Sequence, residues 1–133
     1  MKNKLYKISL PTAVWMSVIF YSLAITVQTL VITKVIPYNW VNGGFSESYD
    51  AQLALSINSI VLLVVMFVLT LIAGKVIKTK LKKTITIICW IMSAYWLIGL
   101  IMQLIGTPFE RFVISWTILL GLVSSLRLAI EKR

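Results

Sequence analysis

The sequence predicts an all-α integral membrane protein, a four-helix up-down bundle with both termini cytoplasmic. Three observations carry that expectation. Hydrophobic residues make up 59% of the 133-residue chain and charged residues 13%, with a mean hydropathy of +0.95, whereas soluble domains carry about 25% charged residues. Four apolar runs, residues 9–36, 51–77, 84–105 and 109–130, each reach the ~20 residues that cross a ~30 Å hydrocarbon core at ~1.5 Å per residue. Basic residues are distributed between the runs so unevenly that they orient them. This composition excludes disordered, collagen-like and disulfide-scaffold classes. A chain of this length leaves no room for a soluble catalytic domain beside four spans.

The first run follows Lys2, Lys4 and Lys7 and so begins as a signal peptide would. A secretory apolar core is only about 7–15 residues long, and residues 9–36 continue past that with no small-x-small cleavage pattern, so they read as a helix. Pro37 ends it. The outer loop, residues 37–50, opens with Tyr38-Asn39-Trp40-Val41-Asn42-Gly43-Gly44, rich in residues that tolerate positive φ and reverse a chain. Ser46 or Ser48 caps the second helix, and Asp50 falls in its first turn, where the helix dipole favours an anion. A basic loop, residues 78–83, precedes the third run, and Gly106-Thr107-Pro108 leaves only a tight turn before the fourth. Short connections force neighbouring helices to run antiparallel, which gives the up-down order. No internal repeat stands out.

Thirteen basic residues face four acids and no histidine, for a net charge of +9. A pI near 10.0 suggests nucleic acid in a soluble domain, but here the basic residues flank apolar runs, so no nucleic-acid partner is expected. Eleven of the thirteen (Lys2, Lys4, Lys7, Lys75, Lys78, Lys80, Lys82, Lys83, Arg127, Lys132 and Arg133) lie at the termini and in the middle loop, leaving Lys34 and Arg111 for the other two connections. Cytoplasmic loops of membrane proteins concentrate lysine and arginine. The termini and the lysine loop are therefore expected inside, and the loop of residues 37–50 and the Gly106 turn outside, with Glu47, Asp50 and Glu110. The inner lysines suit an anionic leaflet, at about 1 kcal/mol each. Lysine in preference to arginine and abundant isoleucine suggest an AT-rich bacterial genome, hence a multi-pass protein of the bacterial cytoplasmic (plasma) membrane. Tyr6, Tyr38, Trp40, Tyr49, Phe109 and Phe112 fall near span boundaries, where amphipathic rings prefer to sit. Trp15, Trp90, Trp96 and Trp116 lie deeper, as lipid contacts or packing residues.

The ionisable inventory removes much chemistry. Cys89 is the single cysteine, so no internal disulfide or CxxC site exists, and the lack of histidine removes the commonest metal ligand and general base. No metal, cofactor or catalytic residue is expected. No acid or base falls in the centre of a span, where proton relays and substrate counter-ions would lie. That disfavours a proton-coupled exporter built around a membrane-embedded glutamate. The Gly43-Gly44 pair is no phosphate motif, because it neither follows a strand nor brings a lysine.

Neutral polar residues recur at helical spacing: Ser22, Thr26, Thr29 and Thr33 in the first run; Ser56, Ser59, Leu63, Met66 and Thr70 in the second; Cys89, Ser93 and Gln103 in the third; Thr117, Gly121 and Ser125 in the fourth. They read first as packing seams, each hydrogen bond contributing roughly 0.6 kcal/mol. The alternative is a polar cavity opening outward, with Gln28, Asn58 and Gln103 as contacts, since a primary amide in hydrocarbon has several hydrogen-bonding positions to satisfy. The outer loop is the densest stretch of non-lipid chemistry. Trp40, Asn42, Glu47 and Asp50 make a candidate recognition patch with Glu110 and Arg111 at its rim, suited to a cationic peptide, a headgroup or a partner's loop. The expected function is a non-enzymatic accessory or binding protein that engages a membrane partner, peptide or lipid through its outer face. An oligomeric small-molecule carrier or pore without an intramembrane carboxylate is one alternative. A membrane enzyme drawing its acids from Glu47, Asp50 and Glu110 is the other. Beyond the bilayer, a second copy of the chain would add packing surface to so small a bundle.

Overall fold

The computed structural model describes residues 2–41, 47–77 and 80–131. Among them the regular elements are all helical: a short α1 (Lys2–Tyr6), α2 (Leu10–Ile32), a 3-10 turn (Tyr38–Trp40), α3 (Tyr49–Ala73), α4 (Lys82–Leu104), and a π turn (Glu110–Ile114) running into α5 (Ser115–Ala129). Four segments are long and apolar enough to cross a membrane: α2, α3, α4 and the π turn together with α5. The short α1 has no counterpart among the expected spans.

Three of the four spans begin with a side-chain cap; α4, preceded by Leu81, does not. Ser9 Oγ accepts the Thr12 N–H at 3.2 Å, and Ser48 Oγ accepts the Ala51 N–H at 3.3 Å with Asp50 in the first turn. The fourth span begins with a reciprocal box. Thr107 Oγ1 accepts the Glu110 N–H and Glu110 Oε1 accepts the Thr107 N–H, both at 3.3 Å, with Pro108 at the position where a missing N–H costs nothing.

The helix ends correct the expected boundaries. The first two runs stop being helical at Ile32 and Ala73, four residues short of 36 and 77, and Pro37 is not the cause. Lys34 and Lys75 instead adopt left-handed conformations, with φ of 66° and 64°. The following amides reach back over them: Val35 N–H donates to the Leu30 carbonyl at 2.9 Å and Val76 N–H to the Leu71 carbonyl at 3.0 Å. This satisfies orphan carbonyls in the way a C-terminal glycine usually does. The two endings share Thr-Leu and Lys-Val-Ile at residues 29–36 and 70–77, a short repeat tied to the same turn geometry.

Helix α2 packs against α3 and α5, and α5 also packs against α4, while α3 and α4 meet only slightly. The central core includes Phe20, Tyr21, Met66, Trp96, Ile118 and Leu122. Phe20 sits edge-on to Trp96 with ring centroids 4.8 Å apart at 87°. Gly121 lets α5 approach that ring, because a Cβ there would lie 2.5 Å from Phe20 Cε2.

Ser56, Thr70, Ser93 and Ser125 are buried between helices. The Ser22, Thr26, Thr29 and Thr33 seam of α2 is not; all four residues are exposed. Thr26 and Thr29 donate to the Ser22 and Ile25 carbonyls at 2.7 and 2.9 Å, so their hydroxyls are satisfied within their own helix and require no neighbour. Helix α2 buries Ala13, Ser17, Phe20, Tyr21 and Val31 instead. Of the four deep tryptophans, Trp96 is buried while Trp15, Trp90 and Trp116 point outward.

Two clusters of contacts define the ends of the bundle. At one, the Trp40 ring lies 5.5 Å from that of Phe109, the Thr107 hydroxyl donates to the Trp40 carbonyl, and the Tyr49 hydroxyl donates to the Ile32 carbonyl. At the other, Arg127 is only 6% exposed. It donates from Nε to the Ile8 carbonyl at 2.6 Å and from a terminal nitrogen to Glu131 at 2.8 Å. The Tyr6 hydroxyl donates to the Ile130 carbonyl at 2.9 Å, and Lys75 Nζ lies 3.8 Å from Glu131.

Candidate functional site: a cavity lined by four spans

The four spans together line a cavity of about 380 Å³. Helix α2 contributes Phe20, Ala24, Val27 and Gln28; α3 contributes Ser59, Leu62 and Leu63; α4 contributes Tyr95, Trp96, Ile98, Gly99, Met102 and Gln103; and the fourth span contributes Ile114, Thr117 and Ile118. Ile98 and Met102 of α4 and Leu62 of α3 are also 63%, 53% and 41% exposed.

Position along the helices gives the cavity a polar end and an aromatic floor. Gln28 lies about 6 Å from the end of α2 at Ile32, and Phe20 about 18 Å, at 1.5 Å per residue. On α4, Gln103 is next to the last residue and Trp96 lies about 10 Å deeper. Trp96, Gly99 and Gln103 follow one another at spacings of three and four, one face of a helix. The π turn supplies Ile114 and immediately precedes the rest of the fourth wall. There Ser115 N–H reaches back to the Glu110 carbonyl, and the Ser115 hydroxyl donates to the same oxygen at 3.1 Å. Such turns within helices are frequent at functional sites.

Among the described residues, the buried polar side-chain atoms lacking a hydrogen-bond partner are Gln28 Oε1, Gln103 Oε1 and Trp96 Nε1, and all three residues line this cavity. Trp96 interacts with the Tyr21 hydroxyl only outside regular hydrogen-bond geometry. Each unmet buried group costs about 1–3 kcal/mol, and the three residues that carry them stand together around one cavity. Among the described residues lining it, none carries a charge.

The three amides expected to share a site are placed differently. Gln28 and Gln103 share the cavity, while Asn58 is exposed and its neighbour Ser59 provides the α3 contact. The recognition patch is also divided. Trp40, Glu47, Asp50 and Arg111 are exposed, and Arg111 Nε donates to the Leu104 carbonyl at 3.1 Å. Glu110 does not belong to a rim: it is 2% exposed, its carboxylate turned onto Thr107. The Thr-x-x-Glu spacing was the available signal. Asn42, with Gly43, Gly44 and Ser46, lies outside the described residues. Among the described residues no group of three His, Cys, Asp or Glu side chains is placed to hold a metal ion. No protein-family model, curated protein or solved structure matches the chain.

Proposed function

We propose that this chain is a non-enzymatic binding protein of the bacterial cytoplasmic membrane that takes a lipid-like molecule from the outer leaflet into the four-helix cavity. The cavity carries this reading: its volume of about 380 Å³ falls within the ~300–1,000 Å³ of ligand sites, and its apolar walls with a few convergent polar groups have the usual composition of one. The eleven-to-two distribution of basic residues supports an up-down bundle with both termini and the lysine loop inside. The Trp40 end is then the outer end, and the amides lie in the outer half of the membrane.

The test uses Trp96 as the only tryptophan, with Trp15, Trp40, Trp90 and Trp116 replaced by phenylalanine, in lipid nanodiscs titrated with bromoundecane, whose bromine quenches indole on contact. Quenching should saturate. Gly99→Leu should remove the saturable part without unfolding the bundle, because a Cβ at Gly99 begins 3.9 Å from both Ile118 and Trp96 and the added side chain occupies the cavity. Identical, non-saturating quenching in both proteins would contradict the reading.

The exposure of Trp40, Glu47, Asp50 and Arg111 at the same end supports a second reading, a docking surface for a partner's loop. Glu47→Gln with Asp50→Asn should then reduce recovery of a crosslinked membrane partner, and unchanged recovery would dismiss it.

A further inference from the structure

Independently of what the cavity holds, we propose that the end of the bundle opposite Trp40 is a docking surface for the phosphate headgroups of anionic lipids. Among the described residues six lysines are exposed there: Lys4, Lys7, Lys75, Lys80, Lys82 and Lys83. Three separate stretches of chain carry them, and the fold brings those stretches together. Ala13, Ala73, Ile85 and Leu128 share one buried cluster, which joins the start of α2, the end of α3, the start of α4 and the end of α5. Helix α1 is fastened to the same end, the Tyr6 hydroxyl donating to the Ile130 carbonyl at 2.9 Å and Arg127 Nε to the Ile8 carbonyl at 2.6 Å. Lys4 and Lys7 therefore belong to an ordered surface and not to a free tail.

Charge at this end is unbalanced. Of the four acids in the chain only Glu131 lies here, and its carboxylate is committed to Arg127 at 2.8 Å, with Lys75 3.8 Å away. The opposite end is mixed: Lys34 Nζ lies 4.5 Å from the centre of the Tyr49 ring, Arg111 is bound to the Leu104 carbonyl, and Glu47 and Asp50 are exposed. Positive charge alone fits a nucleic acid or an acidic protein as well as a lipid. The side chains between the lysines decide for lipid. Val76, Ile77 and Leu81 are exposed and interleave with Lys75, Lys80 and Lys82 in the sequence. In water these aliphatic groups are left unburied; at a membrane interface they enter the acyl region, while the lysine stems run along hydrocarbon and lift their ammonium groups to the phosphates. The lipids so held form a shell that exchanges with the surrounding leaflet.

Trp90 and Trp116 read the two ends. Both are exposed; Trp90 stands about 12 Å from the start of α4 at Lys82, and Trp116 about 9 Å from Glu110 at the other end. Two proteins, each with one of these as its only tryptophan and the others replaced by phenylalanine, are placed in nanodiscs of mixed phosphatidylglycerol and phosphatidylcholine with one or the other lipid brominated in its chains. Quenching then gives the relative affinity of the two headgroups at each end. Phosphatidylglycerol should be preferred about fivefold at Trp90, the factor that the ~1 kcal/mol of one lysine near an anionic surface represents, and not at Trp116. Lys80→Gln with Lys82→Gln and Lys83→Gln should bring the Trp90 ratio to about one, while persisting quenching by phosphatidylcholine and unchanged helical circular dichroism verify that the variant is folded in the bilayer. Salt at about 1 M, where the screening length falls to ~3 Å, should do the same to the unsubstituted lysines. Equal affinity for the two lipids at Trp90 would overturn the proposal, and binding of soluble polyglutamate or an oligonucleotide in that case would give the surface to an acidic polymer. A preference of the same size at both ends, or one that survives the triple replacement, would contradict it as well, by removing the lysines as its source.

Discussion

A carboxylate's role is set by what lies three residues before it. Glu110 looks like outer-surface chemistry when charges alone are counted, but Thr107 and Pro108 make it the closing member of a capping box, and its oxygen is committed to the Thr107 amide at 3.3 Å. Glu110→Ala should therefore lower thermal stability in detergent by about 1 kcal/mol, the usual value of a cap. Glu110→Gln, which can still accept that hydrogen bond, should recover most of the loss. Equal losses in both variants would show that the charge, not the cap, is what matters. The same scale explains what the sequence conceals on α2. Threonines at spacings of three and four resemble an interhelical seam, yet Thr26 and Thr29 turn back on their own carbonyls, and pattern alone does not distinguish the two arrangements. Gln28 and Gln103 are legible as costly amides. That they share a cavity while Asn58 does not depends on helix rotation.

The spans themselves are legible as elements, because length and hydropathy decide them with little help from packing. Their ends are less so. Left-handed lysines at Lys34 and Lys75 do what glycine ordinarily does, so the end of α2 carries no glycine stop and an apolar run read for proline continues to Pro37, whereas Gly74 does stand directly after the last residue of α3. The Arg127 contacts were hidden for a related reason: an arginine near a span boundary reads as an orientation signal, whereas here it ties the turn between α1 and α2 to the end of α5 through the Ile8 carbonyl and holds Glu131. Arg127→Gln should destabilise the protein by about 2 kcal/mol or more, since it leaves Glu131, 17% exposed at its side chain, without its main counter-charge. Arg127→Lys should rescue little, because an ammonium cannot reproduce the guanidinium's fork of donors. Thermal unfolding in detergent measures both, and full stability of Arg127→Lys would mean that charge alone holds this end together.

At the scale of the whole molecule, the function proposed rests on the cavity that all four spans line, α3 and α4 meeting only slightly beside it. Orientation gives that cavity its leaflet. In a Cys89→Ala background, Glu47→Cys should react with an impermeant thiol reagent in intact cells and Lys80→Cys should not; the reverse pattern would place the cavity in the inner leaflet. The most direct test of the central claim is mass spectrometry of the protein released from its own membrane under non-denaturing conditions. Wild-type chains should retain one lipid-like molecule each, and Gly99→Leu chains should lose it. A wild-type protein that carries no bound lipid, or a Gly99→Leu protein that retains the same one, would contradict the account.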